Sequence, residues 1–287
     1  MELCATDDKR CALSTSLIDR IYDTAVDAAR IAGAIQMDHF RKGPTQCTRL
    51  LYDVKLETDL VCEEAIRSTI GKAFPDHSIL AEETGQCSGR GEYLWVVDPL
   101  DGTVNFWQGL PLFCVSVACY RNPANNENEW EIGRSSSIFG TPVAGVVYLP
   151  FMQEIYAAVR GRGTTMNGRP LRVTGAEDTH DLVMAVSFGK TRETMQCMTE
   201  RLGLLLPRVR KVRCLGAAAA ELAYVSAGYL GGLMYEGIKP WDFAAGKILV
   251  EEAGGFVHAV ETGKDQWRVT AGATDFRAAI ESFATGL

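Results

Sequence analysis

Two carboxylates grouped at a turn are the first chemistry this chain offers. In Asp98-Pro99-Leu100-Asp101-Gly102-Thr103-Val104-Asn105-Phe106, Asp98 and Asp101 stand three residues apart across a tight bend. Gly102 lets the backbone turn, and Thr103 adds a hydroxyl beside the acids. The apolar run 93–97 before them reads as a buried strand that Asp98-Pro99 stops, because proline cannot continue a ladder. Both carboxylates therefore leave one strand end together. Their hard oxygens suit Mg²⁺, which keeps several waters and also takes oxygens from a substrate phosphate. The stretch reads as a metal-assisted phosphate site, although Asp-Gly turns and aspartate caps are common in purely structural roles.

Further acids occur at element ends. Ser78-Ile79-Leu80-Ala81 reads as a short strand leading into Glu82-Glu83-Thr84-Gly85, and Asp59 stands where a helix begins. Asp242 follows Pro240 at another helix start, in Glu236-Gly237-Ile238-Lys239-Pro240-Trp241-Asp242, where capping is its ordinary role. Gly216-Ala217-Ala218 opens a helix whose free N–H groups could meet ligand hydroxyls or simply pack. His39, His77, His180 and His258 all lie outside these strings, so zinc or histidine acid–base chemistry has no obvious ligands. No nucleophile elbow occurs, and the glycines of 161–168 lack the order of a dinucleotide or Walker loop, with Asn167-Gly168 reading as a hairpin turn.

The string Asp98 to Phe106, followed by Pro111 and Val115-Ser116-Val117, resembles the signature of the inositol monophosphatase family of Mg²⁺-dependent, lithium-sensitive phosphatases. Glu82-Glu83-Thr84-Gly85 upstream resembles the family's acidic strand end. The string Glu236 to Gly246, followed by Glu251-Glu252-Ala253-Gly254-Gly255, resembles its second signature. The resemblance spans residues 14–285. It implies a layered α-β-α-β-α sandwich of the inositol monophosphatase and fructose bisphosphatase type, with an N-terminal α+β part over 1–178 and a C-terminal α/β part over 179–287. It also implies two or three Mg²⁺ ions: Glu82, Asp98 and the Leu100 carbonyl on one, Asp98, Asp101 and Asp242 on another, and Asp59 at an outer position. Lys55 and Glu57 stand near Asp59 where small and hydroxyl residues are expected. Glu82, Thr103 and Asp98 are then catalytic. Asp101, Gly102, Thr103, Ala218, Glu236 and Asp242 are expected at the substrate, with Glu236 reaching its hydroxyls. The substrate implied is myo-inositol monophosphate, a small phosphorylated polyol. Relatives acting on 3'-phosphoadenosine 5'-phosphate, fructose 1,6-bisphosphate or histidinol phosphate share the metal core, and a catalytically silent scaffold is the alternative from another class. Li⁺ inhibition and a homodimer are further implications.

The elements that must hold these residues follow from periodicity. Residues 14–42 repeat apolar side chains at helical spacing up to Gly43-Pro44, and a second helix starts near Asp59 with Leu60, Ile66, Ile70 and Phe74 on one face. Residues 112–120 alternate as a strand, 143–149 and 154–159 form a hairpin, and 122–141 read as a surface insertion. From 180 to 253 strands and helices alternate, which implies a sheet covered by helices. The composition is ordinary for a globular chain, 47% hydrophobic and 23% charged over 287 residues. No apolar run long enough for a membrane span and no apolar leader occur, so the cytosol is the expected compartment and the nine cysteines are expected to be reduced. With a net charge of −7, nucleic acid is disfavoured, and the one basic stretch, 208–213, reads as an exposed strand face. An acidic protein acting on an anionic substrate needs cations between them, which agrees with the metal reading.

Overall fold

The computed structural model describes residues 6–43, 47–49, 54–87, 91–121, 139–263 and 265–285. In chain order, helix α1 (Thr6–Lys42) leads to strands β1 (Cys47–Arg49) and β2 (Val54–Leu56), helix α2 (Glu57–Ala73), and strands β3 (Ser78–Ala81), β4 (Gly85–Cys87) and β5 (Tyr93–Asp101). The short helix α3 (Thr103–Gln108) precedes strands β6 (Cys114–Arg121), β7 (Thr141–Leu149), β8 (Glu154–Val159), β9 (Gly163–Met166) and β10 (Arg169–Leu171). Then come β11 (Val183–Phe188), α4 (Arg192–Leu205), β12 (Lys211–Arg213), α5 (Ala218–Ser226), β13 (Gly232–Ile238), α6 (Pro240–Glu252), β14 (Gly255–Gly263), β15 (Gln266–Ala273) and α7 (Arg277–Thr285).

Two main sheets result. The larger has the order β10-β9-β8-β7-β6-β5-β3-β4, and the smaller β12-β11-β13-β15-β14. Helices α1 and α2 cover the outer face of the larger sheet, α5 and α6 lie between the sheets, and α4 and α7 cover the smaller one from outside. This is the expected α-β-α-β-α layering. Its cause is visible in α5 and α6. Ala219, Ala220, Leu222 and Ala223 of the first, and Phe243, Ala244, Ala245, Leu249 and Val250 of the second, are fully buried, because a helix sandwiched between two sheets must be apolar on nearly every side. Small residues let the layers approach: a Cβ added to Gly145 would lie 3.0 Å from the Ala245 carbonyl.

Several expectations need correction. Asp98-Pro99 does not end β5. The register with β6 shifts between Asp98, opposite Ser116, and Asp101, opposite Cys114, so Pro99 lies in a bulge where its missing N–H leaves no ladder bond broken. Helix α1 begins at Thr6, earlier than residue 14. Leu60 is not on the buried face of α2; it is 54% exposed, and Cys62 and Glu63 are buried instead. The hairpin β14–β15 and helix α7 lie beyond the elements expected over 180–253. Asn167 and Gly168 do take the positive-φ turn expected of them, at 49° and 78°. The insertion 122–141 falls largely outside the described residues.

Candidate active site

Adjacent parallel strands bring the first two acids together. β3 runs parallel to β5 with Ala81 opposite Val97, so the residues that follow, Glu82 just past the end of β3 and Asp98 still within β5, stand side by side. Asp98 is 2% exposed, and its Oδ1 accepts from the Leu100 amide at 3.0 Å, which fixes the carboxylate over the bulge. Asp101 is carried across to the helical layer: its two oxygens accept from the amides of Ala218 (3.2 Å) and Ala219 (2.7 Å) at the start of α5, and the Cys114 thiol donates to Oδ2 at 3.4 Å. An anion suits a helix N-terminus, whose first amides have no partner within the helix. Gly102 then turns with φ +88°, and a Cβ there would lie 2.9 Å from the Leu112 carbonyl, so only glycine fits. Thr103 Oγ1 donates to the Leu100 carbonyl at 3.0 Å. Asp242 sits in the first turn of α6, its Oδ2 accepting from the Lys239 amide at 2.7 Å.

Glu82, Asp98, Asp101 and Asp242 all border one cavity of about 410 Å³, together with Leu100, Gly102, Thr103 and Ala218. Burial, followed by the charges of Asp242 and Glu83, raises the Glu82 carboxyl above the ordinary range. Asp98 is raised further by burial and then by Glu82, Asp101 and Asp242. Burial also raises Asp101 against the pull of the α5 amides, and raises Asp242, with the Asp101 charge adding to it. Four carboxylates in one dry corner cannot all ionise without a cation between them. The donor set is all oxygen, the chemistry that suits Mg²⁺, which completes its shell with water and substrate oxygens; as placed, no three acidic, histidine or cysteine side chains among the described residues are grouped closely enough to hold an ion by themselves.

Asp59 lies beside this group without bordering the cavity. Its Oδ2 accepts from the Leu56 amide at 2.8 Å, Oδ1 is buried without a hydrogen-bond partner, and burial, with Glu82 and Glu83 nearby, pushes its carboxyl up to about 8. An orphaned buried oxygen next to the acid cluster is compatible with an outer metal position. Lys55 borders the cavity with its Nζ 2.7 Å from Glu83 Oε2.

Glu236 is not brought to the cavity. Its Oε2 accepts from Arg201, and from Arg268 Nε at 2.7 Å, on the side of β13 away from the acids. Side chains alternate along a strand, and it is Tyr235, one residue earlier, that borders the cavity. Lys190, Lys239, Phe188 and Glu221 also belong to the site or its support and went unread from the sequence. For Glu221 a signal existed: a lone acid in the apolar run Ala217-Ala218-Ala219-Ala220-Glu221-Leu222. Lys190 lowers both Glu82 and Asp242 by its charge, yet nothing local marks its loop.

The sequence model described as the inositol monophosphatase family matches residues 17–125 and 137–283. An inositol-1-monophosphatase of Mesorhizobium japonicum is 39% identical over 259 residues, covering 89% of this chain and 88% of the relative. A protein named Nus factor SuhB, from Pasteurella multocida, is 37% identical over 241 residues, covering 83% and 84%. Among solved structures, an inositol monophosphatase from Anabaena superposes with a TM-score of 0.75 at 31% identity, covering 93% of this chain and 96% of the other.

Proposed function

The chain belongs to the inositol monophosphatase family, a family of phosphatases acting on small phosphorylated substrates, and from that premise we propose that it is a Mg²⁺-dependent phosphomonoesterase that hydrolyses myo-inositol monophosphate to inositol and phosphate. The observation that carries the metal-dependent part is the convergence on one cavity of Glu82 after β3, Asp98 and Asp101 of β5, and Asp242 in the first turn of α6. Glu82, Asp98 and the Leu100 carbonyl would hold one ion, Asp98, Asp101 and Asp242 a second, and Asp59 would serve an outer position. Bound Mg²⁺ supplies positive charge for the phosphoryl and leaving oxygens and a water of lowered pKa. Glu82 accepts the proton of the attacking water and aligns it, and Thr103, held to the Leu100 carbonyl, offers its hydroxyl oxygen to the same water. The amides of Gly102 and Thr103 bind phosphate oxygens at the helix start. Lys190, whose charge reaches Glu82 and Asp242, adds to the attraction for an anionic ester.

The inositol assignment draws on relatives bearing that name. One observation favours a different monoester, such as 3'-phosphoadenosine 5'-phosphate: with Glu236 engaged by two arginines, the acid expected to receive polyol hydroxyls is absent from the cavity wall, where Tyr235 and the 42% exposed Phe188 stand instead. A homodimer, the cytosol, Li⁺ inhibition and a division near residues 178 and 179 complete the proposal. No helix among the described residues is long and apolar enough to cross a membrane. Phosphate release from inositol 1-phosphate, 3'-phosphoadenosine 5'-phosphate and fructose 1,6-bisphosphate, with Mg²⁺, with EDTA and with Li⁺, tests it. Highest kcat/KM on inositol 1-phosphate, abolished by EDTA and by Asp98→Asn in a folded protein, is the expected result. Another leading substrate corrects the alcohol. No turnover of any substrate overturns the phosphatase reading and favours a scaffold.

A further inference from the structure

We propose that Glu221, together with Tyr235, is a positioning residue that sets the direction of Asp101, and so governs metal affinity without touching metal or substrate. The inference rests on the metal reading of the four carboxylates. Asp101 is fixed by a chain of contacts that begins at Glu221. Glu221 Oε1 turns back from the first turn of α5 to accept from the amides of Leu215 (2.8 Å) and Gly216 (3.0 Å), which shapes the bend before the helix. From the other side, Asn105 Nδ2 donates to the Leu215 carbonyl at 2.8 Å and to the Leu112 carbonyl at 2.9 Å. Gly216 makes that bend at φ +77°, with the Asn105 side chain packed where a Cβ would be. The amides that follow, Ala218 and Ala219, are the ones that grip both oxygens of Asp101. A shift of the bend is therefore a shift of Asp101.

Glu221 is fully buried in an otherwise apolar helix, and its second oxygen has no hydrogen-bond partner of regular geometry. The Tyr235 hydroxyl is likewise buried without a hydrogen-bond partner, near enough to the Glu221 carboxylate to favour its charged form, and Tyr235 borders the cavity. Burying a carboxylate among alanines is costly unless it is hydrogen-bonded, and the amides of Leu215 and Gly216 supply those bonds. The bend they shape is fastened through Asn105 to the turn that carries the first signature. Groups that orient metal ligands in this way change metal affinity by about 10- to 100-fold when removed.

Mn²⁺ binding to the full-length protein, read by electron paramagnetic resonance without substrate, tests the proposal, with thermal unfolding measured in parallel. Glu221→Ala is expected to weaken Mn²⁺ by at least tenfold. Glu221→Gln, whose amide oxygen accepts from the same two amides, should stay within about threefold of wild type, and Tyr235→Phe should fall between them. Ile280→Ala, a core change under the outer face of the smaller sheet, should lower the unfolding midpoint and leave Mn²⁺ binding unchanged. If Glu221→Ala does not fold, Glu221→Asp, one methylene short of Leu215 and Gly216, replaces it with the same expected loss. Wild-type affinity in the folded Ala or Asp variant, or an equal loss in Ile280→Ala, overturns the positioning role while the metal reading stands. A wild-type protein that binds no Mn²⁺ overturns both.

Discussion

Replacing Glu236 by alanine separates a structural acid from a substrate-binding one. Its side chain is 6% exposed, and its Oε2 serves two guanidinium groups, Arg201 at 9% exposure and Arg268 at 25%. Deleting one partner of a buried pair leaves the other charge desolvated and unpaired, at about 3–5 kcal/mol. Arg268 can recover water, so its share is discounted. Arg201 cannot, and the loss is expected near the lower end, about 3 kcal/mol. At about 2–4 °C per kcal/mol for a chain of this order of size, the unfolding midpoint should fall by about 6–12 °C. Glu236→Leu combined with Arg201→Met should restore much of it, because an apolar pair of similar volume avoids the desolvation altogether. Below the midpoint, KM for the best phosphate ester should stay within about twofold of wild type, since the carboxylate is on the far side of β13 from the cavity; a factor of two is only about 0.4 kcal/mol. Differential scanning calorimetry and steady-state kinetics on one preparation give both numbers. A tenfold rise in KM with an unchanged midpoint would refute the reasoning and return Glu236 to the substrate.

Stability of the metal-free protein should decline with rising pH. Asp59 and Glu221 are raised to about 8 and about 7, so between about pH 4 and pH 8 the folded state binds more protons than the unfolded one, and the stability present below pH 4 is lost through that window. Urea midpoints at pH 5 and pH 8 without metal check the sign, and a higher midpoint at pH 8 contradicts it. Gly102→Ala must take a left-handed backbone at about 1–2 kcal/mol and also push its Cβ off the Leu112 carbonyl, so a midpoint several degrees lower and at least tenfold weaker Mn²⁺ binding are expected. An unchanged midpoint would mean that the turn relaxes freely.

Much of the architecture is written locally. The periodicity of residues 14–42 marks α1, the Asn167-Gly168 pair forces its hairpin, and the alternation from 180 to 253 gives the strands and helices of the second sheet region. Such patterns repeat within a few residues, so the chain declares them without its partners. The bulge at Pro99 was not legible, because whether a proline ends a strand or sits in a register shift depends on β6, the strand beside it. The pair β14–β15 is joined at Thr262-Gly263-Lys264-Asp265, a turn cluster the sequence does contain, but its place in the smaller sheet is fixed by the pairing of β15 with β13.

For the site, residue types and spacing alone pointed to Asp98 and Asp101 and the metal chemistry they suit, while Glu82 and Asp242, which by themselves read as a strand end and a helix cap, entered through the resemblance of their strings to the family's signatures. Tertiary structure decided who stands next to whom. The parallel register of β3 and β5 sets Glu82 beside Asp98, α5 grips Asp101 from 117 residues away, and Glu221 holds the bend that aims the grip. Tyr235 and Glu236 make the point most sharply: adjacent on one strand, they face opposite ways, and which of them meets the cavity is set by the sheet and its arginines. A strand's faces exchange with a single residue of register, and register is fixed by neighbouring strands that the local sequence does not contain.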